Sequence, residues 1–124
     1  MPKYMLLIYD DPSASPAPES PEAQQEHAEY GTFTEGVRSQ GLFVSGDPLE
    51  PTDTATTVRV DGGGETVLSD GPFADTKEWL AGYYVLDCPD LDTATAQAAR
   101  IPAARHGAIE VRPVHVDPEG EEQS

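Results

Sequence analysis

Five ionisable side chains stand where they could do acid–base chemistry: His27 and Tyr30 one helical turn apart, Asp70 and Glu78 on either side of a tight turn, and His106 just ahead of a strand-like run. An imidazole gives and takes protons near neutral pH, a shielded carboxylate can act as a base, and a phenol can donate to a developing oxyanion. The densest stretch is Asp70-Gly71-Pro72-Phe73-Ala74-Asp75-Thr76-Lys77-Glu78. Gly71 permits positive φ and Pro72 fixes its own φ, so the stretch must bend. An aromatic ring in a solvated turn is wasteful, so Phe73 is expected to plug into a core or pocket and hold its charged neighbours in place. Each residue also has a structural reading. Asp70 can accept N–H groups of its own turn, and Lys77 with Asp75 or Glu78 can form a solvated ion pair worth little. Tyr30 can be a core aromatic with a satisfied tip.

Other chemistries find less support. His27, His106 and His115 form no H-x-x-x-H or H-E-x-x-H pattern and have no Cys pair beside them, so no metal and no cofactor are expected. There is no G-x-S-x-G, and Cys88 lies against Pro89 with no basic neighbour to activate it. Gly62-Gly63-Gly64 leads into no helix, so it reads as a hairpin turn and not as a phosphate cradle. The net charge is −16, from 23 acids against 7 bases spread singly along the chain, a balance that repels a phosphate backbone and excludes direct nucleic-acid binding. One cysteine makes no internal disulfide, no apolar run approaches the ~20 residues of a membrane helix, and no secretory segment is visible at the start. A cytoplasmic protein with no membrane partner is the expectation.

These groups need elements to position them. Residues 3–9 are apolar on both faces and read as a central strand. Residues 10–20 read as a mobile loop without a core-forming residue. Ser20-Pro21-Glu22 starts a helix that runs to about Gln40, with Gly41 as its C′ residue and with Ala23, His27, Tyr30, Phe33 and Val37 on one face. A short strand over 42–45 and a hairpin over 55–61 and 65–69 follow. Residues 79–88 form an aromatic strand, Asp90 caps a second helix that Pro102 closes, and residues 107–116 form a last strand. Residues 117–124 read as a disordered acidic tail. The order is that of an α+β, ferredoxin-like split βαβ domain over 1–116, with an inserted hairpin. Helices on one face of the sheet leave the other bare, and pairing of two sheets in a homodimer would cover it.

The Asp70–Phe73 turn, the strands at 3–9, 55–59 and 82–84, and the run from Pro102 to Val114 together resemble the DGPF branch of the YCII-related family, over about residues 3 to 114. The resemblance implies a dimeric α+β barrel. It also implies a setting beside extracytoplasmic-function sigma factors, where the chain would serve as a small-molecule-binding or accessory protein. An acid–base enzyme of lyase, isomerase or hydrolase type is the alternative. The family's enzymes are expected to carry a His on the first helix, three turns before its closing Gly, and an Asp just before a Pro near the last strand. Those positions here are Tyr30 and Ile101. The family's His-Asp pair is thus absent, and the candidate catalytic residues are Tyr30, Asp70, Glu78, His27 and His106, the ionisable groups tied to the sheet-facing helix, the turn and the entry to the last strand.

Overall fold

Period-two burial builds the first strand, β1 (Lys3–Asp10): Tyr4, Leu6 and Ile8 are buried while Met5, Leu7 and Tyr9 are half-buried on the opposite face. The computed structural model describes residues 1–74 and 76–116. In it β1 is paired along both edges, the central position expected of residues 3–9. The remaining elements are α1 (Pro21–Ser39), β2 (Phe43–Pro48), β3 (Thr56–Val60), β4 (Thr66–Asp70), β5 (Trp79–Asp87), α2 (Leu91–Ala98) and β6 (Ala108–Pro113). Short 3-10 turns lie at Thr52–Thr54 and Pro102–Arg105. The main sheet has the order β2-β5-β1-β6 with every neighbour antiparallel, and β3-β4 form a separate two-stranded sheet. This is the ferredoxin-like α+β domain with an inserted hairpin.

Local chemistry sets the ends of these elements. The Ser20 hydroxyl accepts the Ala23 N–H at 3.1 Å and caps α1. At the other end Gly41 takes φ +74°, Gly41 N–H reaches Arg38 O at 3.0 Å, and Leu42 N–H reaches Val37 O at 2.9 Å. That pair of bonds is a Schellman cap, with Leu42 and Val37 both buried beneath it. Asp90 caps α2 by accepting the N–H and hydroxyl of Thr93 at 2.8 and 2.7 Å, and these bonds hold its carboxyl below the usual range. Asp61 closes the β3–β4 hairpin by accepting the N–H groups of Gly63 and Glu65, each at 2.9 Å.

The core lies between the sheet and the two helices. Leu6, Leu86, Val37 and Ile101 are fully buried there, and Phe33 packs edge-on against Tyr84 with ring centroids 5.1 Å apart. The outer face of the sheet carries three cross-strand pairs, Met5 with Val85, Leu7 with Tyr83, and Tyr9 with Leu80.

Three expectations change. Phe73 is 77% exposed, with the Arg59 guanidinium 5.8 Å from its ring centre, so it plugs into no core or pocket among the described residues. The reason is that the hairpin projects from the main sheet and carries the turn with it. The 10–20 loop contains a buried residue, Asp11, which is only 7% exposed. Its carboxylate accepts the N–H and hydroxyl of Ser13 at 3.0 and 2.6 Å and meets Lys77 at 3.5 Å. Lys77 therefore reaches this loop from the far side of its own turn. Finally, α2 ends at Ala98, the expected last turn relaxes into a turn in which Arg100 N–H reaches Gln97 O at 3.0 Å and Ile101 N–H reaches Ala98 O at 3.1 Å, and Pro102 opens a separate 3-10 segment. Asp75 and the tail from 117 to 124 lie outside the described residues.

Candidate functional site

Small residues on facing elements leave room between α1 and the sheet. Gly31 lies in the exposed middle of α1, and a Cβ built there meets nothing within 4 Å. Across from it, Gly46 of β2 lets the Tyr84 ring lie close, since a Cβ on Gly46 would fall 2.7 Å from that ring. The result is a cavity of about 460 Å³ walled by Ile8, Phe43, Ala81 and Tyr84, with α1 along one side. This volume and apolar wall are typical of small-molecule sites.

Polar groups gather at one end. Asp10, Glu26, His27 and Tyr30 line the cavity there. His106 stands behind the two carboxylates: its Nδ1 is 3.0 Å from Asp10 Oδ1, and its Nε2 is 3.0 and 3.1 Å from the two oxygens of Glu26. A carboxylate only accepts, so a neutral imidazole satisfies one of these contacts and an imidazolium satisfies both. Ser15 joins the group, donating to Asp10 Oδ1 at 2.7 Å and lying 3.4 Å from His106 Nδ1. Arg105 grips Glu29 at 2.7 Å and stands 4.0 Å from Glu26, and the Glu29 bonds raise its already high pKa. Burial, helped by the nearby charges of Glu26 and Asp10, pushes the Tyr30 phenol well above its ordinary 10.0, so it persists as a proton donor. At the other end Arg38 lies over the Phe43 ring, 4.2 Å from its centre.

The five sequence candidates are thus distributed. Tyr30 and His27 share the cavity, His27 as an exposed rim residue. His106 reaches the same cluster from behind and lines a neighbouring hollow under the 11–16 loop, which also contains Glu26. Asp70 lies elsewhere, in a separate hollow with Thr52 and Trp79 beside the hairpin. Glu78 is half-buried and lines none of these three. Sequence reasoning missed Asp10 and Glu26. Glu26 carried a usable signal, since it lies one turn before Tyr30 on the sheet-facing helix. Asp10 is the last residue of the central strand.

A family model described as the YCII-related domain matches residues 2–116. The chain belongs to the YCII-related family. It is also 35% identical over 120 residues to an uncharacterized protein of Rhizobium meliloti (strain 1021), covering 95% of this chain and 96% of that relative. In this YCII-related protein the position where the resemblance expects a helix His holds Tyr30, in the cavity. The position expected to hold an Asp is Ile101, fully buried in the core and unable to serve a site. Carboxylates do enter the site, but from β1 and from the turn of α1 before Tyr30.

Proposed function

We propose that this YCII-related protein binds a small organic molecule in the cleft between α1 and the sheet. One observation carries the reading: an apolar-walled cavity of about 460 Å³ has Asp10, Glu26, His27 and Tyr30 grouped at one end and Arg38 at the other. Such a site buries a ligand's body and orients it by a few polar contacts. A fragment screen followed by amide chemical shifts tests it. Binders should perturb Tyr30, Thr34 and Tyr84, and Gly31→Leu, which places a side chain in the open space, should abolish binding. Fragments that bind equally well to that variant would refute the site.

Acid–base catalysis in the same cleft is the second reading, favoured by the raised pKa of Tyr30 beside two carboxylates. Tyr30 would donate to a developing oxyanion, and Asp10 or Glu26 would accept a proton. His106, which touches both carboxylates from behind, is a positioning residue. Once a turned-over ligand is found, Tyr30→Phe should lower kcat about 10²-fold or more with little change in KM. Equal kcat would leave binding as the whole function.

The assembly we propose is a two-fold pairing through the outer sheet face. Met5, Leu7, Tyr9, Leu80, Tyr83 and Val85 form an apolar centre, bordered by Ser45 and Asp47 on β2 and by Glu110 and Arg112 on β6. An apolar centre with a polar rim is the pattern of protein interfaces. An accessory role beside an extracytoplasmic-function sigma factor fits the −16 charge, which would direct the protein toward proteins or small molecules and away from DNA. No helix among the described residues is long and apolar enough to cross a membrane.

A further inference from the structure

We infer that the ligand of this cavity is an organic cation, an ammonium group on a flat apolar body of about ten heavy atoms, with the ammonium held between Asp10 and Glu26. The inference rests on the cavity reading above and adds the charge and polarity of the ligand. Three observations support it. First, the polar end is acidic even after its own neutralisation. Asp10, Glu26 and Glu29 face Arg105 and His106, so one negative charge remains uncompensated even with a protonated imidazole. Second, the site has acceptors to spare. The contacts that Asp10 makes with Ser15 and His106 both fall on Oδ1, leaving Oδ2 to accept another donor. Both carboxylates line the cavity, and both are turned toward His106 on their far side, so a cation entering from the cleft completes a shell already half built. Third, the wall beyond the carboxylates is Ile8, Phe43, Ala81 and Tyr84, suited to an aromatic or aliphatic body.

The competing cationic anchor is Arg38, at the opposite end of the cleft. Its guanidinium is stacked on Phe43, and the protein's −16 charge works against an anion approaching it. A cation is steered in by the same field.

The test uses three probes of one length, 3-phenylpropylamine, 3-phenylpropanol and 3-phenylpropionate, titrated into the intact protein and followed by amide chemical shifts. The amine should bind about tenfold tighter than the alcohol, as expected of a charge-assisted hydrogen bond. The propionate should bind more weakly than either. Glu26→Gln should bring the amine down toward the level of the alcohol. Because Glu26 holds His106, a measurement on the unaltered protein stands beside it: added salt should weaken the amine and leave the alcohol alone. Propionate binding as tight as the amine, or an amine no better than the alcohol, overturns the cationic class while the cavity stands, provided Gly31→Leu blocks whatever binds. If none of the three binds, the cationic proposal falls. The cavity reading falls with it only if the wider fragment screen is silent too.

Discussion

Gly31 offers a direct test of why the cleft is open. It lies near the centre of the 19-residue helix α1, away from the positive-φ glycines, and a Cβ there meets nothing within 4 Å. A helix-interior glycine costs about 0.5–1 kcal/mol relative to alanine, because its backbone loses more freedom on folding. With no contact to forbid the methyl group, Gly31→Ala should recover that amount. For a domain of this size the melting temperature should rise by roughly 2–6 °C. Gly31→Leu should gain nearly as much, since leucine and alanine differ little in helix propensity. The two variants should then part company in binding, with the alanine variant retaining part of its affinity for fragments and the leucine variant losing it. Calorimetric melting and fragment titration, run on all three proteins, give the answer. A melting temperature below that of the parent for Gly31→Ala would refute the reasoning, because it would mean that the position is packed and the space beside it is not open.

Other consequences follow from burial and charge. Phe73→Ala should cost less than about 1 kcal/mol, the worth of an exposed cation–π contact, in thermal unfolding at low concentration; a cost of 3–5 kcal/mol would show the ring buried against another molecule. In solution the protein should scatter light as a species of twice the 13.3 kDa chain mass, and charged Leu7→Glu should halve it; a parent that runs as a monomer at micromolar concentration rules the sheet-face dimer out. The Ser13 hydroxyl holds the Asp11 carboxyl below its ordinary 3.8, with Lys77 assisting. A depressed carboxyl contributes stability that is present above its unfolded value and is lost as pH falls through its folded one. The stability gap between the parent and Asp11→Asn should therefore be full near neutrality and close as acid is added below about pH 4; a gap independent of pH over that range would exclude the charged contact.

The fold was legible because its signals are local. Ser20, Asp90 and Gly41 announce helix ends through their own side chains or φ angles, and the two apolar faces of residues 3–9 place that strand inside the sheet. The hairpin was legible for the same reason, with Asp61 and Gly64 fixing its turn. Phe73 was not, because burial depends on where a hairpin points, and nothing in nine residues of turn records that direction. Asp11 was missed for a related reason: nothing in a Pro- and Ser-rich loop records that Lys77, sixty-six positions away, meets its carboxylate. The site was half legible. Tyr30 and His106 were on the page as residue types, whereas their carboxylate partners became visible only when the sheet register was known.

That register explains why the site is where it is. β1 and β6 run antiparallel with Tyr9 opposite Ala108, so the turn that leads into β6 must lie beside the end of β1, where Asp10 stands. The approach is close: a Cβ on Gly107 would fall 2.0 Å from the Tyr9 carbonyl, so only glycine lets the two backbones meet and brings His106 within 3.0 Å of Asp10. Helix α1 crosses the same end of the sheet with its first turns, which is where Glu26 and Tyr30 lie. Three segments far apart in sequence thus deliver an imidazole, two carboxylates and a phenol to one corner of the fold. The helix position at which the family resemblance expects a histidine opens onto that corner, and so a His reaching it from the other side, through the turn before β6, can support the same pocket. Imidazole and carboxylates thus reach that corner from other elements than the resemblance predicts, with Asp10 on β1, Glu26 on α1 and His106 ahead of β6.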